Sequence, residues 1–154
     1  MADGGGAIIV KNLQEVLAAI GASQTQIEKG AKIGIAQASL AIERQAKLNA
    51  NTGTRVRVGS KIVPARHIGP SGMGPNVITG TLRRSIRTDV RYGFDTYVAT
   101  VGPTVEYARA VEVGSPIWKS GVKYPYLEPA ATSLIRSGKL RTIFIGAIKV
   151  SMRG

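Results

Sequence analysis

The sequence predicts an α+β domain: a long N-terminal helix and a C-terminal helix packed on a small, mainly antiparallel sheet, with a projecting β-hairpin and loop. Three observations carry this. Small and apolar residues recur at helical spacing from Ile20 to Leu48, alternating runs separated by glycine turns occupy 55–63 and 86–101, and an i, i+3, i+4 stripe resumes from Leu140 to Ile148. The chain has 154 residues, 44% apolar and 19% charged, which suits one domain with a real core and excludes a disordered tail or a coiled-coil rod.

In chain order, Ala7–Val10 reads as a short edge strand. Asn12 is a suitable N-cap for a short helix over 13–20, with Leu13, Val16, Leu17 and Ile20 on one face and Gly21 ending it. A longer helix starts near 23–25, where Thr25 and Glu28 have capping-box spacing, and runs to about Ala50 before the turn residues Asn51, Thr52 and Gly53. Ile20, Ile27, Gly34, Ala41 and Leu48 recur every seven residues on it, flanked by Gly30, Ala31 and Ala38. So small a face lets another backbone approach closely, either within the core or across a subunit interface.

Arg55 to Val58 alternates with period two, and Gly59-Ser60 followed by Lys61, Ile62 and Val63 completes a hairpin with arginines on one face and apolar residues on the other. The run Gly69 to Asn76 is too rich in Gly and Pro for helix or strand interior, so 53–78 reads as a projecting basic extension or a solvated loop. Thr79-Gly80-Thr81 turns into a brief helix over Leu82–Ser85. Strands follow at Ile86–Val90 and Tyr97–Val101, joined by a turn at Tyr92–Asp95, with Gly102-Pro103 breaking the second. Residues 104–112 read as helix stopped by Gly114, 115–123 as loop and 124–127 as extended. Pro129 sits at the start of a final helix that Gly138 kinks or splits; the β-branched 142–150 leaves a strand open there.

Twenty-one Lys and Arg against nine Asp and Glu give a formal charge of +12, which calls for an anionic neighbour or a solvated basic face. The excess begins after residue 50, and beyond Glu128 five bases (Arg136, Lys139, Arg141, Lys149, Arg153) meet no acid. Aromatics are only 5% and scattered, which disfavours base stacking and leaves a phosphate backbone or an acidic protein as the anion.

With no Cys, thiol catalysis, disulfides and Cys-ligated zinc are excluded, and the single His67 lies in a basic loop, against a Ser-His-Asp triad or a multi-His metal site. Gly69–Met73 misses the nucleophile-elbow pattern, Gly72-Met73-Gly74 stops short of a dinucleotide fingerprint, and Gly-Lys-Ser/Thr is absent. The acids have no metal-ligand spacing. The expectation is a soluble protein of a reducing compartment, without signal peptide or membrane span, cofactor or catalysis.

Three motifs in order suggest a family: Thr79-Gly80-Thr81-Leu82-Arg83-Arg84-Ser85-Ile86, then Tyr107-Ala108 with Glu112-Val113-Gly114, then Tyr124-Pro125-Tyr126-Leu127-Glu128-Pro129-Ala130. That order resembles the neck or tail-completion (head-tail joining, minor tail component) proteins of long-tailed bacteriophages. The short strand and long helix at the N-terminus resemble the family's opening, while 53–78 is longer than its usual link. The resemblance implies a structural virion protein, assembled in the host bacterial cytoplasm as a ring, six-fold, at the head-tail junction. Its partners would be further copies of itself, head-closure or connector proteins, tail-terminator or tail-tube proteins, and packaged DNA.

On that resemblance, Gly80, Leu82, Arg83, Arg84, Tyr107, Glu112, Gly114, Pro125, Leu127 and Pro129 are the candidate interface. Leu82, Tyr107 and Leu127 are its packing anchors, and Glu112 is either the partner of Arg83 or Arg84 or a solvated helix-end acid. Arg55, Arg57, Lys61 and Arg66 are candidate DNA- or partner-facing bases. A free basic nucleic-acid-binding domain is the alternative, resting on charge alone; a small hydrolase has only unassigned serines behind it.

Overall fold

The structure, a computed structural model, describes residues 6–10, 24–50, 55–64, 74–75, 80–94, 96–117 and 123–153, with the backbone alone at 6–10, 55–58 and 61–64. The expected helix over 13–20, Arg66, His67 and most of the Gly/Pro-rich loop lie outside these residues. The expected α+β class is found. Strand β1 (Gly6–Val10) precedes helix α1 (Gln24–Asn49), followed by β2 (Arg55–Val58) and β3 (Lys61–Pro64), α2 (Thr81–Ser85), β4 (Ile86–Tyr92) and β5 (Tyr97–Pro103). Helices α3 (Ala108–Val113), α4 (Leu127–Arg136) and α5 (Lys139–Ser151) complete the chain.

The sheet is antiparallel with order β1-β5-β4, so β1 is an edge strand as expected, and β2-β3 form a separate two-stranded ribbon. The ribbon turns at Gly59, whose φ of 62° suits a two-residue hairpin connection. Its register sets Arg57 opposite Ile62 and Val58 opposite Lys61. Strand β4 alternates cleanly: Ile86 is buried and Thr88 and Val90 are partly buried, while Arg87, Asp89 and Arg91 are exposed.

Helix α1 is the spine. Its first half packs Ile27, Ala31 and Ile35 against Tyr97, Ala99, Val90, Phe144 and Ile148. Its second half packs Ile42, Ala46 and the following Ala50 into a cluster with Ile86, Val101, Tyr126, Leu127, Ala130 and Leu134. The buried face therefore follows the helix period of 3.6 and leaves the seven-residue row: Ile27 and Gly34 are buried, Ala41 is partly buried, and Leu48 is 47% exposed. A seven-residue repeat drifts by about 20° per step on a straight helix, and three steps from Ile27 rotate Leu48 off the core.

The backbone that approaches the small face belongs to the chain's own last helix. A Cβ built on Gly30 would lie 2.7 Å from the Ile148 Cα, and one on Gly34 2.7 Å from Cδ2 of Phe144. Across the other side, Thr88 Oγ1 donates to Glu43 Oε2 at 2.7 Å, and Lys47 pairs with the same carboxylate. Burial alone would raise the Glu43 carboxyl; the hydrogen bonds from Lys47 and Thr88 outweigh it and hold the group below its ordinary value.

Three boundaries differ from expectation. Strand β5 runs through Gly102-Pro103, with Pro103 opposite Ile86 on β4. The described ladder to β1 ends at Val101, so Pro103 meets no demand for a donor on that side. Helix α3 begins at Ala108 and not at 104, because the Thr104 N–H is bonded to the Ser85 carbonyl and holds that segment to the strand end. Helix α4 begins at Leu127, two residues before Pro129, which shortens the expected extended segment. As expected, Gly138, at φ 69°, splits α4 from α5, and of the two alternatives left for 142–150 the helix is found.

Two expectations follow. Gly30→Ala should destabilise the fold by roughly 1–3 kcal/mol in urea denaturation, because its methyl meets backbone; Gly146→Ala, where nothing lies within 4 Å, should stabilise it by about 0.5–1 kcal/mol through helix propensity. Glu43, with its lowered folded-state value, contributes stability that is present above the ordinary carboxylate range and lost as pH falls through that lowered value. Thermal melts should show Thr88→Val losing stability at neutral pH, with a shallower decline into acid than the wild type.

Candidate interaction site

The second and third motifs meet at one junction, and the first shares the core beneath it through Ile86 and Leu82. The first turn of α4 leaves backbone N–H groups without intrahelical acceptors, and Tyr126 at its N-cap supplies no side-chain acceptor. Glu112, at the end of α3, takes that role from 14 residues upstream. Its Oε2 accepts the N–H of Tyr126 at 2.9 Å and of Leu127 at 3.1 Å, and its Oε1 accepts that of Glu128 at 2.8 Å. Pro129, next in line, has no N–H to satisfy. The accounting of free donors therefore closes on one carboxylate and one proline. A carboxylate there also faces the positive end of the α4 dipole.

Neighbouring bonds fix this geometry. The Tyr124 N–H donates to the Val111 carbonyl at 2.8 Å, and Asn49 Nδ2 at the end of α1 donates to the Tyr126 carbonyl at 3.0 Å. Tyr126 itself is 1% exposed, and burial, with the Glu112 and Tyr107 charges adding to it, pushes its hydroxyl well above the usual tyrosine value. Gly114 follows at φ 87° and ψ 167°, a conformation essentially reserved for glycine, and turns the chain away beyond Glu112. Gly80, at φ 75°, opens α2 in the same permissive manner, with the Arg84 N–H on its carbonyl.

The candidate residues thus separate into two groups. Glu112, Gly114, Pro125, Leu127 and Pro129 belong to the α3–α4 junction, where Leu127 is 4% exposed and faces the core of its own domain. Leu82 also packs on that core from α2. Tyr107 is 48% exposed beside α3. Arg83 and Arg84 stand exposed on α2, and Glu112 pairs with neither, being occupied by the α4 amides. That capping role was missed because the acceptor and donors are separated by a Gly-containing loop; the spacing of Glu112 before Pro129 was the available signal.

The basic side chains gather elsewhere. Arg83, Arg84 and Arg87 are exposed, and no described carboxylate lies within ion-pair distance of them; Arg91 pairs with exposed Asp89 at 2.9 Å. No group of three His, Asp or Glu side chains that could hold a metal ion occurs among the described residues, and no described helix is long and apolar enough to cross a membrane. Of the expected basic hairpin, Arg55, Arg57 and Lys61 occupy β2 and β3.

Comparison with known proteins finds no matching family model, curated protein or solved structure. The site therefore defines its class by its own physics: a junction built to fix chain geometry, with exposed cations apart from it on α2 and β4.

Removing the cap should separate these roles. Glu112→Ala should cost about 2 kcal/mol in equilibrium denaturation, since three amides lose a charged acceptor. Glu112→Gln, which keeps an acceptor, should cost less, and the double variant R83A/R84A should stay within about 0.5 kcal/mol of wild type. Equal losses in all three would instead indicate an ion pair.

Proposed function

We propose that this chain is a structural subunit of the phage head-tail junction, a neck or tail-completion protein that assembles into a ring, six-fold by the resemblance, and joins the connector to the tail. What supports the reading is that the three motifs carrying the family resemblance meet in the structure. The Thr79–Ile86 motif packs Leu82 on the core that holds Leu127, and the Glu112 carboxylate of the second motif caps the helix that the third begins. Motifs that were only ordered in sequence thus share one core and one capped helix start.

A ring of identical copies needs a heterologous interface in which one face complements a different one. Among the described residues, exposed Tyr107, Val113 and Ile117 are candidate contacts for such an interface. Head-closure, connector, tail-terminator or tail-tube proteins would cover the ring's two ends, in the virion. The alternative, a free basic nucleic-acid-binding domain, is favoured by the +12 charge alone.

Sedimentation and negative-stain imaging with the neighbouring junction proteins decide between them. The junction reading expects rings and incorporation into virions. A chain that remains monomeric beside those proteins and is missing from purified particles would overturn it.

A further inference from the structure

We propose that the exposed arginine ridge formed by α2 and the start of β4, Arg83, Arg84 and Arg87, is a docking site for the phosphate backbone of duplex DNA. The family resemblance makes the 55–66 hairpin DNA- or partner-facing and places Arg83 and Arg84 in a subunit contact; the ridge gives these two arginines a DNA-facing role instead.

Three observations carry this. First, the ridge is built on anchored elements. Within α2, Leu82 packs on the core and the Ser85 hydroxyl donates to the Leu82 carbonyl at 2.7 Å, which leaves Arg83 and Arg84 on the outer side. Ile86 is fully buried, so the pleat of β4 turns Arg87 outward. Second, the three guanidiniums have no described carboxylate partner, and the one acid along β4, Asp89, is taken by Arg91. Glu112, the carboxylate expected to neutralise Arg83 or Arg84, is committed to the α4 amides. Third, all three cations are arginine, whose planar fork suits two phosphate oxygens at once.

An extended polyanion fits better than a local acidic patch on a protein. Beyond residue 50 the chain carries sixteen bases and five acids, a field of one sign over most of its length. Backbone contact needs neither a base-reading helix nor stacked aromatics, and the described residues display neither around Arg83, Arg84 and Arg87. The inference rests on the junction reading for the presence of DNA, but its test does not.

The experiment measures binding of the full chain to a random-sequence duplex by fluorescence anisotropy across salt concentrations. R83Q/R84Q/R87Q is compared with the charge-matched K139Q/R141Q/K149Q, whose sites are exposed on α5. The ridge variant should lower the slope of log K against log salt by about 2–3, at roughly 0.9 per phosphate contact, while the α5 variant lowers it by less than about 1. Equal losses in the two variants, or an unchanged slope in the ridge variant, would overturn the proposal.

Tighter, ridge-dependent binding to polyglutamate than to a duplex of equal charge would also overturn it, in favour of an acidic protein partner. Should the triple variant fail to fold, single R83Q, R84Q and R87Q variants carry the same test, each lowering the slope by about 0.9. Assembly of these proteins with junction partners is read separately by sedimentation. Rings with an unchanged duplex slope would refute the ridge alone, and loss of ring formation in the wild type would refute the junction reading alone.

Discussion

A helix whose buried face is largely glycine and alanine cannot bury much surface by itself, but it can let other backbones come close. Helix α1 uses that property along its length. At Gly30 and Gly34 there is no room for even a methyl group without displacing Ile148 or Phe144 of α5. Further along, Ala38, Ile42 and Ala46 are buried, and the second core joins α1 to β4, β5 and α4. Dispersion and apolar burial at such short range depend on shape, so α1 sets the separation of sheet and C-terminal helices. Strands β4 and β5 and helices α4 and α5 take their positions from that spine.

The α3–α4 junction follows from it. Asn49, at the last turn of α1, holds the Tyr126 carbonyl, which fixes where α4 starts. The amides of that start would be left without acceptors if Glu112 did not reach them, and an unsatisfied, partly buried amide costs more than an ordinary hydrogen bond returns. Glu112 therefore ties a short helix, a glycine turn and a long helix into one unit. It is a positional device: it fixes where Tyr107, Val113 and Ile117 are presented, and it leaves the α2 arginines uncompensated.

That lack of compensation gives the charge distribution its meaning. In a chain of 21 bases and nine acids, the few carboxylates decide which cations remain available. Glu43 is spent between Lys47 and Thr88, Glu112 on backbone amides, and Asp89 on Arg91. The remaining positive field along α2 and β4 is a consequence of folding, since in sequence Glu112 stood as a natural partner for those arginines.

The amino-acid sequence was enough for the α+β class, the edge strand β1, the extent of α1, the hairpins and the break at Gly138, because each rests on local periodicity and turn chemistry. Local rules also misled: the seven-residue row, read as facing the core or a subunit interface, set Leu48 on one face with buried Ile27 and Gly34, Pro103 read as a strand breaker, and the helix before Gly114 was drawn too long. Each of these depends on a neighbour distant in the chain, whether the drift of a straight helix over its core, the end of the β1 ladder, or the Ser85 carbonyl that receives Thr104. The partner of Glu112 lay beyond reach for the same reason. A carboxylate is acceptor to any donor that arrives, and only the packing of α1, α3 and α4 brings three amides to it before an arginine can.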